Sequence, residues 1–395
     1  MGHDPLTPPR LLLLTVLLAV LLAVLLALLP PLGGPSDAPD PSIRQNLQLT
    51  RLLGGDATVD PGFRRALRPR PFDFPADHRQ HPDYRSEWWY LTGQLRDPAG
   101  HPFAFQFTLF RQAQRPPDAQ SADQASANAW RVPQLYMGHL AVTDLQRGSH
   151  RSSERFSRAG PGLAGSSATP LRIWLEDWAL TAASPGELFP LRLTADDPAQ
   201  GIGLTLDLSA SKPRVLQGDA GLSQKSPEPG NASYYYSYPR LAVSGQLSWD
   251  GTPYPVTGQA WFDHEWSSSV LAPYQSGWDW FSLQLDDGRE LMLYQIRAQE
   301  DHPPTRDSVL IDRQGNKQRL HAAQIDLRVE AFWSSPDGTR YPARWRLRVA
   351  DAALDLTLVP RLADQEMRHS IRYWEGAVTV SGSHRGLGFV ELTGY

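Results

Sequence analysis

Residues 258–267 read Gly-Gln-Ala-Trp-Phe-Asp-His-Glu-Trp-Ser and hold several groups able to move protons. If the segment is extended, Trp261, Asp263 and Glu265 share one face, and Phe262, His264 and Trp266 share the other. Two carboxylates at i and i+2 then lie about 6 to 7 Å apart. On a face that lines an apolar barrel, each desolvates and repels the other's charge, so at least one pKa rises. A protonated acid among aromatic rings can protonate an alkene, and the rings can stabilise a carbocation by cation–π attraction. Asp263 is then the proton donor, with His264 and Glu265 as the other catalytic candidates. A competing arrangement puts the three at a strand end, tied to arginine or backbone amides.

Other residues extend this set as ligand-contacting candidates. Glu87 precedes Trp88, Trp89 and Tyr90; it either faces a cavity beside Trp89 or pairs with Arg85 or Arg111 to pin the fold. Tyr136 and His139 stand three apart on a strand pattern, so only one of them can look inward. In the run 234–238, Tyr234, Tyr236 and Tyr238 share a face, a polar-tipped wall for a ligand or simple packing. Trp261, Trp266, Trp278 and Trp280 fall close together in the chain.

Other chemistries find no support. The chain has no cysteine, which removes thiol nucleophiles, disulfides and Cys-ligated zinc. The 11 histidines are scattered, and His264 has no sequence neighbour at metal spacing, so no metal and no cofactor is expected. Gly-x-Ser-x-Gly and phosphate-loop signatures are absent. A net charge of −4 with mixed signs leaves no footprint for nucleic acid.

The elements that must position these groups are strands. Phe103, Phe105, Phe107 and Leu109 alternate with smaller or polar residues; Ile202 to Leu208 and Leu241 to Trp249 behave likewise. Asp286-Asp287-Gly288 and Pro336-Asp337-Gly338 mark hairpin turns. Residues 112–129 and 148–169 read as long solvated loops. The pattern predicts an all-β chain of two consecutive antiparallel β-barrel units. Residues 1–30 form an anchor or signal, 31–70 a linker and extension, 71–269 the first unit and 270–395 the second.

Ser86-Glu87-Trp88-Trp89-Tyr90-Leu91-Thr92-Gly93, the central 258–267 segment, the tyrosine run and the closing Gly388-Phe389-Val390-Glu391-Leu392-Thr393-Gly394-Tyr395 occur in one order. Together they resemble the AttH-like and carotenoid 1,2-hydratase (CrtC-like) lipocalin-related family over residues 70–395. The resemblance implies two lipocalin-like barrels. It also implies one of three roles. The first is an exported protein binding an apolar ligand, lipid or isoprenoid, as accessory to an envelope ABC-transporter permease. The second is a hydratase or isomerase acting on a C=C bond, and the third a secreted hydrolase, for which no nucleophile is visible.

Leu11 to Leu29 is apolar apart from Thr15, follows Arg10 and precedes Asp37 and Asp40. As a helix it would reach about 28 Å, enough to cross a bilayer. The expectation is an inner-membrane anchor with a periplasmic domain, or a periplasmic protein if the segment is cleaved. Fractionation should find the full-length chain in the membrane pellet; a soluble form beginning after residue 30 would show cleavage.

Overall fold

The structure is a computed structural model that describes residues 62–117, 133–269, 271–299 and 301–395. The apolar run 11–29, and the extension up to residue 61, lie outside the described residues. Among the described residues no helix is long and apolar enough to cross a membrane. Three short 3-10 turns lie there, at Ala76–His78, Ala322–Gln324 and Ala350–Ala352.

The rest is antiparallel strand. The first sheet begins with β1 (Ser86–Arg96), β2 (Pro102–Ala113), β3 (Gln134–Asp144), β4 (Ser149–Arg158) and β5 (Ala164–Ala168). It continues with β6 (Leu171–Leu175), β7 (Trp178–Ala182), β8 (Leu191–Asp197), β9 (Ile202–Ala210), β10 (Val215–Leu216) and β11 (Leu222–Gln224). The long strands β12 (Ala232–Trp249) and β13 (Thr252–Ser267) complete it. The second sheet holds β14 (Gln275–Leu285), β15 (Glu290–Ala298), β16 (Thr305–Ile311), β17 (Lys317–Leu320) and β18 (Ile325–Ser334). It ends with β19 (Arg340–Val349), β20 (Leu354–Pro360), β21 (Glu366–Arg368), β22 (Arg372–Gly382) and β23 (Gly386–Thr393).

In each sheet the first strand pairs with the last. The orders are β4-β3-β2-β1-β13-β12-β9-β8-β7-β6-β5 and β17-β16-β15-β14-β23-β22-β20-β19-β18. Each sheet curls around its own apolar core, giving two barrel-like, lipocalin-like bodies. One expected loop is largely strand: residues 149–158 form β4, paired with β3, and residues 164–168 form β5, paired with β6. Ser149-His150-Arg151-Ser152-Ser153-Glu154 carries no apolar alternation because β4 is an edge strand and stays half-exposed.

The described residues before β1, 62–85, pack onto the first sheet. Phe63 and Ala66 are buried, and Tyr234 donates to the Arg68 carbonyl at 2.9 Å. Phe72, Phe74 and His78 pack edge-on against Tyr236 and Trp266, filling the first barrel. At the centre of this packing Glu87 is fully buried. It accepts from Arg111 Nε at 2.9 Å, and its other oxygen meets His81 Nδ1 at 2.7 Å and His264 Nε2 at 2.8 Å. Burial alone would raise this carboxyl, but His81, Arg111 and the His264 hydrogen bond hold it well below its ordinary value. Desolvation lowers His264 to about 4, so it is neutral near pH 7. Its Nε2–H then donates to Glu87, and its Nδ1 accepts the hydroxyl proton of Tyr236 at 3.0 Å. Tyr236 in turn accepts from His78 Nδ1 at 2.7 Å.

Replacing Glu87 by Gln leaves Arg111 charged and buried without its counter-ion. Urea unfolding at neutral pH should show a loss of about 3–5 kcal/mol with an unchanged m-value. Because the folded carboxyl titrates below its ordinary 4.5, the loss should be constant above that pH and shrink as the pH falls beneath it.

Candidate functional site

Pairing of the first strand with the last sets the 86–93 motif beside the 258–267 motif in one sheet, and the closing motif beside Trp278 and Trp280 in the other. On β1 and β13, Tyr90 stands opposite Asp263, Trp89 opposite His264 and Trp88 opposite Glu265. On β14 and β23, Trp280 stands opposite Glu391 and Trp278 opposite Thr393. β22 completes the set, with Glu375 opposite Glu391. Alternation sends Trp89, Phe262, His264 and Trp266 into the first barrel. Trp88, Tyr90, Trp261, Asp263 and Glu265 point outward, onto the outer face of the second sheet.

A cavity with about 970 Å³ of empty space, its mouth included, lies in this layer between the sheets. Its wall carries the aromatic side chains of Trp88, Tyr90, Tyr235, Trp278, Trp280 and Tyr294. Four carboxylates enter it, Asp263 and Glu265 from one sheet and Glu375 and Glu391 from the other.

Asp263 is buried. Its Oδ1 accepts from Ser237 at 2.5 Å and from Trp261 Nε1 at 2.7 Å; its Oδ2 lies 2.9 Å from the hydroxyl of Tyr235. Burial pushes its pKa up to about 7 against these three hydrogen bonds, and the charge of Glu265 adds to the rise. With Oδ1 already accepting twice, Oδ2 is the oxygen that carries the proton. Glu375 takes a hydrogen bond from Tyr90 at 2.7 Å, and its Oε2 has no partner. Burial, then the neighbouring Glu391, push it well above 4.5. Glu391, half-buried at the wall, accepts from Trp278 at 2.9 Å and Thr393 at 3.0 Å, and burial raises it to about 7. Glu265 differs, because Lys225 Nζ is 2.7 Å from its Oε1 and Ser233 donates to the same oxygen. The ammonium of Lys225 also lies 4.5 Å from the centre of the Tyr294 ring.

The candidate residues therefore divide. Asp263, Glu265, His139, Trp278 and Trp280 line the cavity, and Trp261 stands behind Asp263. Glu87, Trp89, Tyr136, Tyr236, Tyr238 and His264 are buried in the first barrel's core and are not among the lining residues. The acid pair projects into an aromatic cavity, but that cavity lies outside the first barrel's interior. That interior is filled by aromatic rings and the segment before β1, and the acids face the space between the barrels. The alternation of the tyrosine run holds, but Tyr235 meets the cavity. His264 has no sequence neighbour at metal spacing, but the fold brings distant partners to it. His81, Glu87 and His264 offer donor atoms within 4.8 Å of one another. Their contacts of 2.7 and 2.8 Å are hydrogen bonds, and Arg111 occupies the other Glu87 oxygen. The group fits a proton-linked network rather than a cation.

Sequence reasoning missed Tyr90, Lys225, Tyr235, Tyr294, Tyr373, Glu375 and Glu391 as lining residues. Glu391 lies in the closing motif, and Tyr373 and Glu375 alternate on β22, so each carried a local signal. Their meeting with Asp263 did not.

The AttH-like family model matches residues 65–395. A crystal structure described as an AttH from Nitrosomonas europaea is 35% identical, with a TM-score of 0.73, covering 84% of this chain and 100% of that one. Kievitone hydratase from Nectria haematococca shares the fold at 16% identity and a TM-score of 0.63, covering 84% and 95%. No curated protein matches the chain in sequence.

A carboxyl whose folded pKa lies above its ordinary 3.8 favours the folded state below that value and loses the advantage as the pH rises toward 7. Asp263→Asn removes this dependence. Its stability relative to the unsubstituted protein should improve by on the order of 2–4 kcal/mol between pH 4 and pH 8. A difference that stays flat with pH would mean that Asp263 is ionised throughout.

Proposed function

The chain belongs to the AttH-like family, and from that premise we propose that it is a hydratase, adding water across a carbon–carbon double bond of an apolar, isoprenoid-like substrate held between the two sheets. One observation carries the reading: Asp263, with its pKa raised to about 7, opens onto an aromatic cavity beside three further carboxylates. The fold shared with a protein named as a hydratase supports the reaction class.

In this mechanism Asp263 Oδ2 gives its proton to the less substituted alkene carbon. The π electrons form the new C–H bond and leave a cation on the more substituted carbon. The faces of Trp88, Trp278, Trp280 and Tyr294 stabilise that cation, each contact contributing up to about 2 kcal/mol once water is excluded. Water then adds through its oxygen and releases one proton, and Asp263 regains a proton from solvent. Glu375 stays neutral, so it adds no charge that would trap the cation as an ester-forming carboxylate. A carrier of apolar ligands would need the aromatic walls but not the acids, which is why hydration is preferred to simple binding. The apolar run 11–29 carries the accompanying proposal that this chemistry takes place on the periplasmic side of the cell envelope.

Incubation with geraniol, a soluble isoprenoid with trisubstituted alkenes, in D2O should give a product heavier by one water and bearing one carbon-bound deuterium. Asp263→Asn should lower kcat by about 100-fold or more and still bind geraniol, as read by quenching of tryptophan fluorescence. Turnover retained in Asp263→Asn would refute the assignment. Binding without turnover in the unsubstituted protein would favour the carrier.

A further inference from the structure

Hydration releases a proton from the attacking water, and Glu375 and Glu391, whose pKa values burial raises, are less free to take it. A different group faces the same cavity. His139 on β3 stands opposite Glu154 on β4, and its Nε2 lies 3.0 Å from Glu154 Oε1. Its Nδ1 lies 2.7 Å from the hydroxyl of Tyr373, which comes from β22 of the other sheet. His139 is fully buried, and both His139 and Tyr373 line the cavity. Glu154 is itself fixed by Ser370, whose hydroxyl donates at 2.6 Å and whose amide donates at 3.2 Å.

The directions of these bonds follow from the donor inventory. A carboxylate only accepts, so the Nε2 of a neutral His139 must carry the hydrogen. Nδ1 is then a bare acceptor, and the Tyr373 hydroxyl donates to it. A hydroxyl, a base and an orienting carboxylate in that order is an arrangement for moving a proton away from a reacting oxygen. The other groups facing His139 add no charge: Phe110 is apolar, and burial lowers His369, whose ring is 5.4 Å away, to about 4. Burial, followed by Glu375, Glu391 and Glu154, holds the Tyr373 phenol well above its ordinary value, so Tyr373 passes a proton on rather than standing as a phenolate.

We propose that Tyr373 and His139 take the proton lost by the attacking water, with Glu154 as the positioning residue that fixes the His139 tautomer. The inference rests on the hydratase reading. As the water oxygen forms its bond to the cationic carbon, its surplus proton passes to Tyr373 Oη, and the phenol's own proton moves to His139 Nδ1. The imidazolium that results lies against the Glu154 carboxylate. Asp263 has lost one proton and His139 has gained one; exchange with solvent restores both, and nothing is oxidised or reduced.

The test uses geraniol in D2O and follows two products, hydrated alcohol and deuterium in recovered geraniol. Tyr373→Phe should slow water addition by about 100-fold with KM unchanged, while deuterium still enters recovered geraniol because protonation by Asp263 is intact. Asp263→Asn should lose both. Glu154→Gln, which keeps an acceptor for Nε2–H, should retain more of the rate than Glu154→Leu. Independently of any variant's folding, nitrogen-15 NMR of the unsubstituted protein should show His139 with its hydrogen on Nε2. Water addition at the unsubstituted rate in Tyr373→Phe, or a hydrogen on Nδ1, overturns the relay alone. If the unsubstituted protein neither hydrates nor deuterates geraniol, the hydratase reading fails and the relay with it.

Discussion

The central strands of this protein are buried on both faces. Strands β1 and β13 turn one face into the first barrel and the other onto the second sheet; β14, β22 and β23 do the reverse. An antiparallel sheet commonly keeps one face in water. Here the second face is covered by the other sheet, and a carboxylate on it either meets an opposite charge, as Glu265 meets Lys225, or has its charged form disfavoured by burial. Asp263, Glu375 and Glu391 follow the second course. Their raised pKa values come first from burial and then from the company of other acids. The same acids on a sheet open to solvent would ionise in the ordinary range and could not act as acids near neutral pH.

The first barrel supports this face from behind. Its interior holds Glu87, Arg111, His81, His264 and Tyr236 in one hydrogen-bonded network. The network ties β1, β2, β12 and β13 to the segment before β1. His264 lies between Asp263 and Glu265 in sequence, so anchoring its ring inside the barrel presents both carboxylates on the opposite face. The polar core thus sets the orientation of the acids without lying in the cavity. The second sheet is fastened to the first by side chains reaching across: Gln94 donates to the Gly388 carbonyl at 2.9 Å, and Gln284 to the Ala260 carbonyl at 3.0 Å. Tyr90 to Glu375 and Tyr373 to His139 are bonds of the same kind at the cavity itself.

Much of the architecture was legible from alternation alone. The period-two runs at 103–109, 202–208 and 241–249 lie in strands β2, β9 and β12, and Asp286-Asp287-Gly288 joins β14 to β15. Where a strand lay at an edge and carried few apolar residues, as with Ser149–Arg158, the pattern was silent. Both faces of the 258–267 segment were assigned to the right companions, since side chains alternate on any extended chain. Where the cavity lay was not legible, because that depends on what fills each barrel. Alternation cannot reveal that Phe72, Phe74 and His78 pack into the first one.

The strands with regular alternation, the two faces of each motif and the family resemblance were legible in the sequence, because these depend on residues close together along the chain. The tertiary structure alone decided that Glu375 and Glu391 join Asp263 and Glu265, and that Glu154, His139 and Tyr373 line up across two sheets. These groups lie far apart in the chain. Their distances are set by strand register and by the packing of one sheet on the other, neither of which leaves a local periodicity. The shift that makes Asp263 an acid near pH 7 has the same origin, since its largest cause is burial under a sheet that begins after the motif has ended.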